Sequence, residues 1–175
     1  MWNAQRLVSA FVLGGLVGLL LDRLHVHYGV LWYPRPFVWD QAWWVLPLFG
    51  ATTLVVLNGA RLFMRAAFGE HDVAGSALWF FAAYWASGVW QGHPIGLSIA
   101  YVVFLAMRTT HGITWLFALG LALGGVLVEA SLVSIDAFRY RYPDLLGLPY
   151  WLPGLYAHGA PFALAVALKL RRPGS

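Results

Sequence analysis

The sequence predicts an all-α membrane domain of six spanning helices, and three observations carry that expectation. Hydrophobic residues make up 61% of the 175-residue chain and charged residues only 10%, against about 25% charged in a soluble domain. Apolar runs without charge recur along the chain, near the roughly 20 residues that a spanning helix needs. The segments between them mix proline, aromatic residues and arginine. That mixture suits short turns at a membrane–water interface, where Tyr and Trp sit at headgroup depth and Arg reaches phosphates. One bundle accounts for residues 1–175 as a single domain.

Span one is expected over residues 7–28, opening on an uncharged, Gly-rich run in which Gly14, Gly15 and Gly18 share a face suited to close helix contact. Residues 29–40, GVLWYPRPFVWD, form an interfacial turn. Span two covers residues 41–60, with Pro47 in its first third, where a proline frees a carbonyl and kinks a helix. Arg61, Arg65 and a polar turn at residues 69–72 follow. Residues 73–107 lack any Asp, Glu, Lys or Arg and are too long for one span. Gly92-His93-Pro94 divides them into span three, 73–91, and the shorter span four, 94–107. Span five covers 113–135 and span six 151–168. No internal repeat is apparent.

Six spans put both termini on one side. That side carries Arg6, Arg61, Arg65, Arg108, Lys169, Arg171 and Arg172, the other Arg23, Arg35, Arg139 and Arg141. Cytoplasmic loops carry the excess of Lys and Arg, so both termini are expected in the cytoplasm. Residues 1–6 are barely basic and do not read as a cleavable signal.

Several function classes are excluded. The chain has no cysteine, which removes disulfides, Cys-ligated zinc and thiol nucleophiles. The net charge of +4 is scattered, with no basic stripe for nucleic acid. No nucleophile set, metal spacing or phosphate-cradling loop is visible, so no catalytic residue, metal site or cofactor is expected. His25 and His27, two apart, face opposite sides of a helix and read as interfacial, while His158 reads as bonded to a neighbouring helix. Glu129 is the sharpest candidate: an acid inside a span is costly and usually faces the protein interior or a cavity. It could anchor a ligand headgroup or relay protons. Asp136, two turns on, could join it in acid–base work, although the adjacent Arg139 and Arg141 favour an ion pair.

Two thirds of the way along and beyond, residues 138–159 concentrate aromatics, prolines and charge, and it is here that a family resemblance is closest. Tyr140, Tyr142, Pro143, Asp144, Leu146, Trp151, Leu152, Pro153, Ala157 and Gly159 follow in order the Y-x-Y, P-D-x-L, W-L-P and A-x-G pattern of Insig proteins. The second span, AWWVLPLFGATT, resembles the family's AWW-x-P-x-x-G-T segment, and PIGLSIA at residues 94–100 resembles its fourth span. The resemblance implies a six-span membrane protein that binds a sterol-like lipid in a cavity among its helices and acts as a non-enzymatic sensor or regulator. It departs from the family where the turn after span four, MRTTHG, lacks an acid, and where Gly96 replaces a glutamine.

A single lysine and an Ala-, Gly- and Arg-rich composition point to a bacterial cytoplasmic membrane. The ligand is then a diacylglycerol-, sterol- or isoprenoid-like membrane lipid. The expected cavity lies between spans one, three, four and five, with Gly88 and Gly96 giving room, Tyr84, Leu97 and Trp115 lining it and Glu129 as polar anchor. A membrane-protein partner and a homo-oligomer are the expected associations. The alternative is a small membrane enzyme or transporter for an isoprenoid or other lipid, using Glu129 and Asp136.

Overall fold

The computed structural model describes residues 4–63 and 72–171. In order these form α1 (Ala4–His27), β1 (Leu31–Trp32), α2 (Val45–Phe63), α3 (Val73–Trp90), α4 (Pro94–Arg108), α5 (Gly112–Ser134), β2 (Arg139–Tyr140), α6 (Leu152–Ala157) and α7 (Gly159–Arg171). Three of them, α1, α2 and α5, are long and apolar enough to cross a membrane, and α4 is a shorter apolar helix. Residues 1–3, Arg65, the 69–71 part of the polar turn and Arg172 lie outside the described residues.

Local chemistry sets the helix ends. Asp72 caps α3 by accepting from the Gly75 backbone N–H at 2.7 Å, and Pro94 opens α4, where its missing N–H is no loss. Two expectations need correction. The second helix begins at Val45, not Gln41. Pro47 therefore falls in the first turn, where N–H groups have no intrahelical partner anyway, and gives no cause for a kink. The sixth segment is not one helix but two, broken at His158. Pro161 explains the break: it cannot donate to the carbonyl four residues back, on Ala157, and its ring clashes there.

Helix α1 packs against α2 through small residues. A Cβ on Gly15 would stand 2.8 Å from the Leu46 carbonyl oxygen, and one on Gly50 2.8 Å from that of Phe11. The backbones approach too closely for side chains at these positions, as the Gly-rich face of the first span suggests.

The structure also overturns the expectation of no repeat. Residues 107 apart occupy matching places in α1–β1–α2 and in α5–β2–α6. Gly29 and Asp136 both hold positive φ, 63° and 57°, at the end of their helices. Two-residue turns follow at Trp39-Asp40 and Leu146-Gly147, all with positive φ, each closed by a bridge, Val38 to Gln41 and Leu145 to Leu148. The backbone bonds match too: Phe37 N–H to the Gln41 carbonyl at 2.8 Å, Asp144 N–H to that of Leu148 at 3.0 Å. The two units meet through β1 and β2, antiparallel, with Trp32 opposite Arg139. Those two residues are themselves 107 apart, so a local pseudo-two-fold axis passes between them. The α3–α4 hairpin is inserted between the copies.

Candidate functional site

A cavity of about 1230 Å³ lies among α1, α2, α3, α5 and the α6–α7 segment. Its walls are mostly apolar: Leu21, Phe49, Val56, Phe80, Phe117, Leu121 and Phe162 are among them. On α1 it reaches from Gln5 to His25, about 30 Å of helix and so about the thickness of a bilayer's hydrocarbon core. Gln5, Arg6 and Leu170 stand at one end, and Asp22, His25, Tyr33, Glu129 and Tyr140 at the other.

That second end is polar because each repeat delivers one acid to it. Asp22 on α1 and Glu129 on α5 are 107 residues apart. The loop of each unit supplies the matching tyrosine. Tyr33 donates to both carboxyl oxygens of Asp22 at 2.8 Å, and Tyr140 donates to Oε2 of Glu129. Second donors differ between the copies. Asp22 accepts from Gln41 Nε2 at 2.6 Å, while Glu129 accepts from Tyr156 on α6 through Oε1. Burial, reinforced by the neighbouring Asp22, pushes the Tyr33 hydroxyl far above the usual phenol range. Burial and then Glu129 do the same for Tyr140. Both phenols therefore stay protonated and keep donating to their acids.

Histidine 25 and Tyr84 complete this end. The His25 ring stacks on Tyr84 with centroids 4.8 Å apart, and its Nε2 lies 2.7 Å from Ser87 Oγ. Ser87 has one hydroxyl hydrogen and gives it to the Tyr84 carbonyl at 2.7 Å. It must therefore accept from Nε2–H, which leaves His25 Nδ1 as a lone-pair acceptor.

Of the expected ligand residues, Tyr84 and Glu129 line this cavity together. The others lie elsewhere, and α4 contributes nothing to the walls. Gly88 packs against Tyr28, with a Cβ there 2.6 Å from its Cδ2, whereas Gly96 is exposed with nothing within 4 Å. Leu97 belongs to the buried core, and the Trp115 indole donates to the Thr109 carbonyl at 3.2 Å. Helix α5 ends at Ser134, so Asp136 is not two turns along it on the Glu129 face. It is gripped instead by Arg139, Nε to Oδ1 at 2.6 Å and Nη2 to Oδ2 at 3.0 Å. That pairing, through hydrogen bonds first, holds its carboxyl below the ordinary range. The interfacial assignment of His25 is likewise corrected: it is buried, because the α1 face that carries it turns inward toward α3. His158 does bond a neighbouring helix, through Nε2 and the Tyr101 carbonyl at 3.1 Å.

Sequence reasoning passed over Asp22, Tyr33 and Gln41. The available signal was the 107-residue spacing that links Asp22 to Glu129 and Tyr33 to Tyr140.

No family model matches the chain. The INSIG protein homolog of Mycolicibacterium vanbaalenii is 30% identical over 186 residues, 95% of this chain and 88% of that protein. The crystal structure of MvINS, a mycobacterial Insig homolog from Mycobacterium vanbaalenii, superposes with a TM-score of 0.73 at 26% identity, covering 99% of this chain and 98% of that one. A cross-linked MvINS trimer superposes with a TM-score of 0.74 at the same identity and coverage.

Proposed function

The chain belongs to the Insig family, and from that premise we propose that it binds a membrane lipid in the cavity between its two repeats and acts as a non-enzymatic sensor or regulator. The observation that carries this reading is the cavity itself. At about 1230 Å³ it exceeds the roughly 300–1,000 Å³ that suits a drug-sized ligand. Its length matches a lipid chain, its walls are greasy, and its polar groups gather at one end. A diacylglycerol-, sterol- or isoprenoid-like molecule has that same division. The helices would form six spans, α6 and α7 sharing the sixth, in a bacterial cytoplasmic membrane. Both termini would then face the cytoplasm, by the excess of Arg and Lys on that side.

The MvINS trimer supports a homo-oligomer as the assembly here, and a membrane-protein partner fits a regulator. The alternative of an enzyme or transporter built on Glu129 and Asp136 has less support, since Asp136 is engaged by Arg139 and is not among the cavity residues. Native mass spectrometry of the protein purified in mild detergent, followed by lipid extraction, tests the proposal. One lipid class retained per chain is the expected result. Folded protein that is repeatedly free of lipid would refute it.

A further inference from the structure

A second, smaller space lies beside the end of the main cavity that holds Gln5 and Leu170. It measures about 240 Å³ and is lined by Arg6 on α1, Val73 on α3, and Val166, Lys169 and Leu170 on α7. Arg6, Val166 and Leu170 border the main cavity as well, so the two spaces share a wall. Arg6 and Lys169 stand near opposite ends of the chain, and folding brings both to this one pocket. Arg6 gives one N–H to the Leu170 carbonyl at 3.3 Å, and a guanidinium has five such donors.

Charge at this end of the bundle is lopsided. By sequence, segments 1–6, 61–72, 108–112 and 169–175 carry seven Arg and Lys side chains and only two acids, Glu70 and Asp72. Pairing both acids still leaves five cations in excess. Asp72 is also engaged in capping α3, through the Gly75 N–H. At the opposite end four arginines meet three acids, Asp40, Asp136 and Asp144. The positive field of the protein is therefore concentrated where the pocket lies, and it attracts anions there.

We propose that this pocket binds the phosphate head group of an anionic glycerophospholipid, with Arg6 and Lys169 as its counter-charges. The site is separate from the lipid cavity and takes from the proposed function only the membrane orientation. In that orientation the pocket faces the cytoplasmic leaflet, whose surface is anionic, and basic pockets between spanning helices on that side hold anionic head groups. Size and lining select a lipid over a free anion. The volume falls below the roughly 300–1,000 Å³ of a drug-sized ligand, which suits a head group whose chains stay outside in the bilayer. Val73, Val166 and Leu170 offer apolar surface to the glycerol carbons, and a hydrated phosphate ion has no use for it. An arginine and a lysine together suit a phosphodiester, the first through paired N–H donors and the second as a point charge.

The test titrates the whole protein in mild detergent with dioleoyl phosphatidylglycerol or dioleoyl phosphatidylcholine and counts bound lipid by native mass spectrometry. The two lipids share chains and phosphate and differ in net charge. Phosphatidylglycerol should bind about 30-fold more tightly, roughly fivefold for each basic residue. Lys169→Gln and Arg6→Gln should each remove about fivefold of that preference. Val73→Trp fills the pocket without touching a charge and should weaken phosphatidylglycerol at least as much. Arg61→Gln removes a charge from the same end but outside the pocket, and should change the preference by less than about twofold, because exposed charges are screened. Lys169 is exposed, so its variant should keep the melting temperature. Equal affinity for the two lipids, or a preference that survives both Lys169→Gln and Val73→Trp, overturns the site. A drop with Arg61→Gln as large as with Lys169→Gln means diffuse surface charge and overturns it too. Displacement of phosphatidylglycerol by an equal concentration of inorganic phosphate would assign the pocket to a soluble anion instead of a lipid. Each of these outcomes leaves the lipid reading of the main cavity standing.

Discussion

Replacement of Gly125 by alanine tests whether packing and the acid–tyrosine contacts form one system. A methyl at position 125 would stand 2.5 Å from Cδ2 and Cγ of Tyr156, well inside the roughly 3.5–4.0 Å of a comfortable carbon contact. The ring must move by about 1 Å, and it is not free to do so. Its hydroxyl donates to Glu129, one turn further along α5, so retreat from position 125 swings the oxygen off the carboxyl. Overpacking costs about 1–3 kcal/mol and the lost bond to a charged group about 1.5–3 kcal/mol. Helix propensity returns roughly 1 kcal/mol, for a net loss of about 1.5–5 kcal/mol.

The repeat and the neighbouring residue supply controls. Gly124→Ala meets nothing within 4 Å and should be neutral or mildly stabilising. Gly18→Ala, the matching position in the first unit, strikes Phe49, which has no hydroxyl to lose. It should therefore cost only the packing part less the same propensity return, about 0–2 kcal/mol. Thermal unfolding in detergent measures all three. In a Tyr156→Phe background the cost of Gly125→Ala should fall toward that of Gly18→Ala. If Gly125→Ala is as mild as Gly124→Ala, or its cost is unchanged in that background, the coupling does not exist.

Three further outcomes follow from the same geometry. Tyr140→Phe and Tyr33→Phe each strip a donor from a buried acid and should destabilise by about 1.5–3 kcal/mol; a melting temperature unchanged in both would refute the acid–tyrosine contacts. Gln41→Leu installs the side-chain type that the second repeat carries at Leu148, but it removes the donors to Asp22 and to the Leu19 carbonyl. It should cost a similar amount, about 1.5–3 kcal/mol, and this loss should shrink when Asp22→Asn is added. Asp136 sits at φ 57°, so Asp136→Ala should be less stable than Asp136→Gly by about 1–2 kcal/mol, although both lose Arg139. Equal melting temperatures for the pair would contradict the left-handed backbone there.

Much of the architecture was legible because it is written locally. The capping Asp72, the opening Pro94 and the Gly-rich face of α1 each act within a few residues or on one surface. Glu129 stood out for a local reason as well, an acid in an apolar run. The site was less legible. Gln41 reads as the start of a span, yet its value lies in reaching Asp22 across the turn. Leu97 and Trp115 look like wall residues but serve the packing of α4 and the start of α5. The repeat was hidden because identity survives at few matched positions, such as Val26 and Val133, Tyr33 and Tyr140, Pro36 and Pro143, Trp44 and Trp151. The shared backbone path is held by turns that Trp39-Asp40 and Leu146-Gly147 both adopt, without a common residue pair to betray it.

The sequence by itself determined that this chain is a set of apolar helices joined by aromatic, proline-rich turns. Hydropathy, helix length and proline chemistry act on each segment separately, so composition and order suffice. Only the tertiary structure decided which acid meets which tyrosine and where the sixth segment breaks. It also decided that Asp22 and Glu129 share one cavity. Those outcomes depend on which helix faces turn toward each other, and on bonds such as Tyr156 to Glu129 and Gln41 to Asp22. Such contacts form only when segments distant in the chain are brought together, and no local pattern records them.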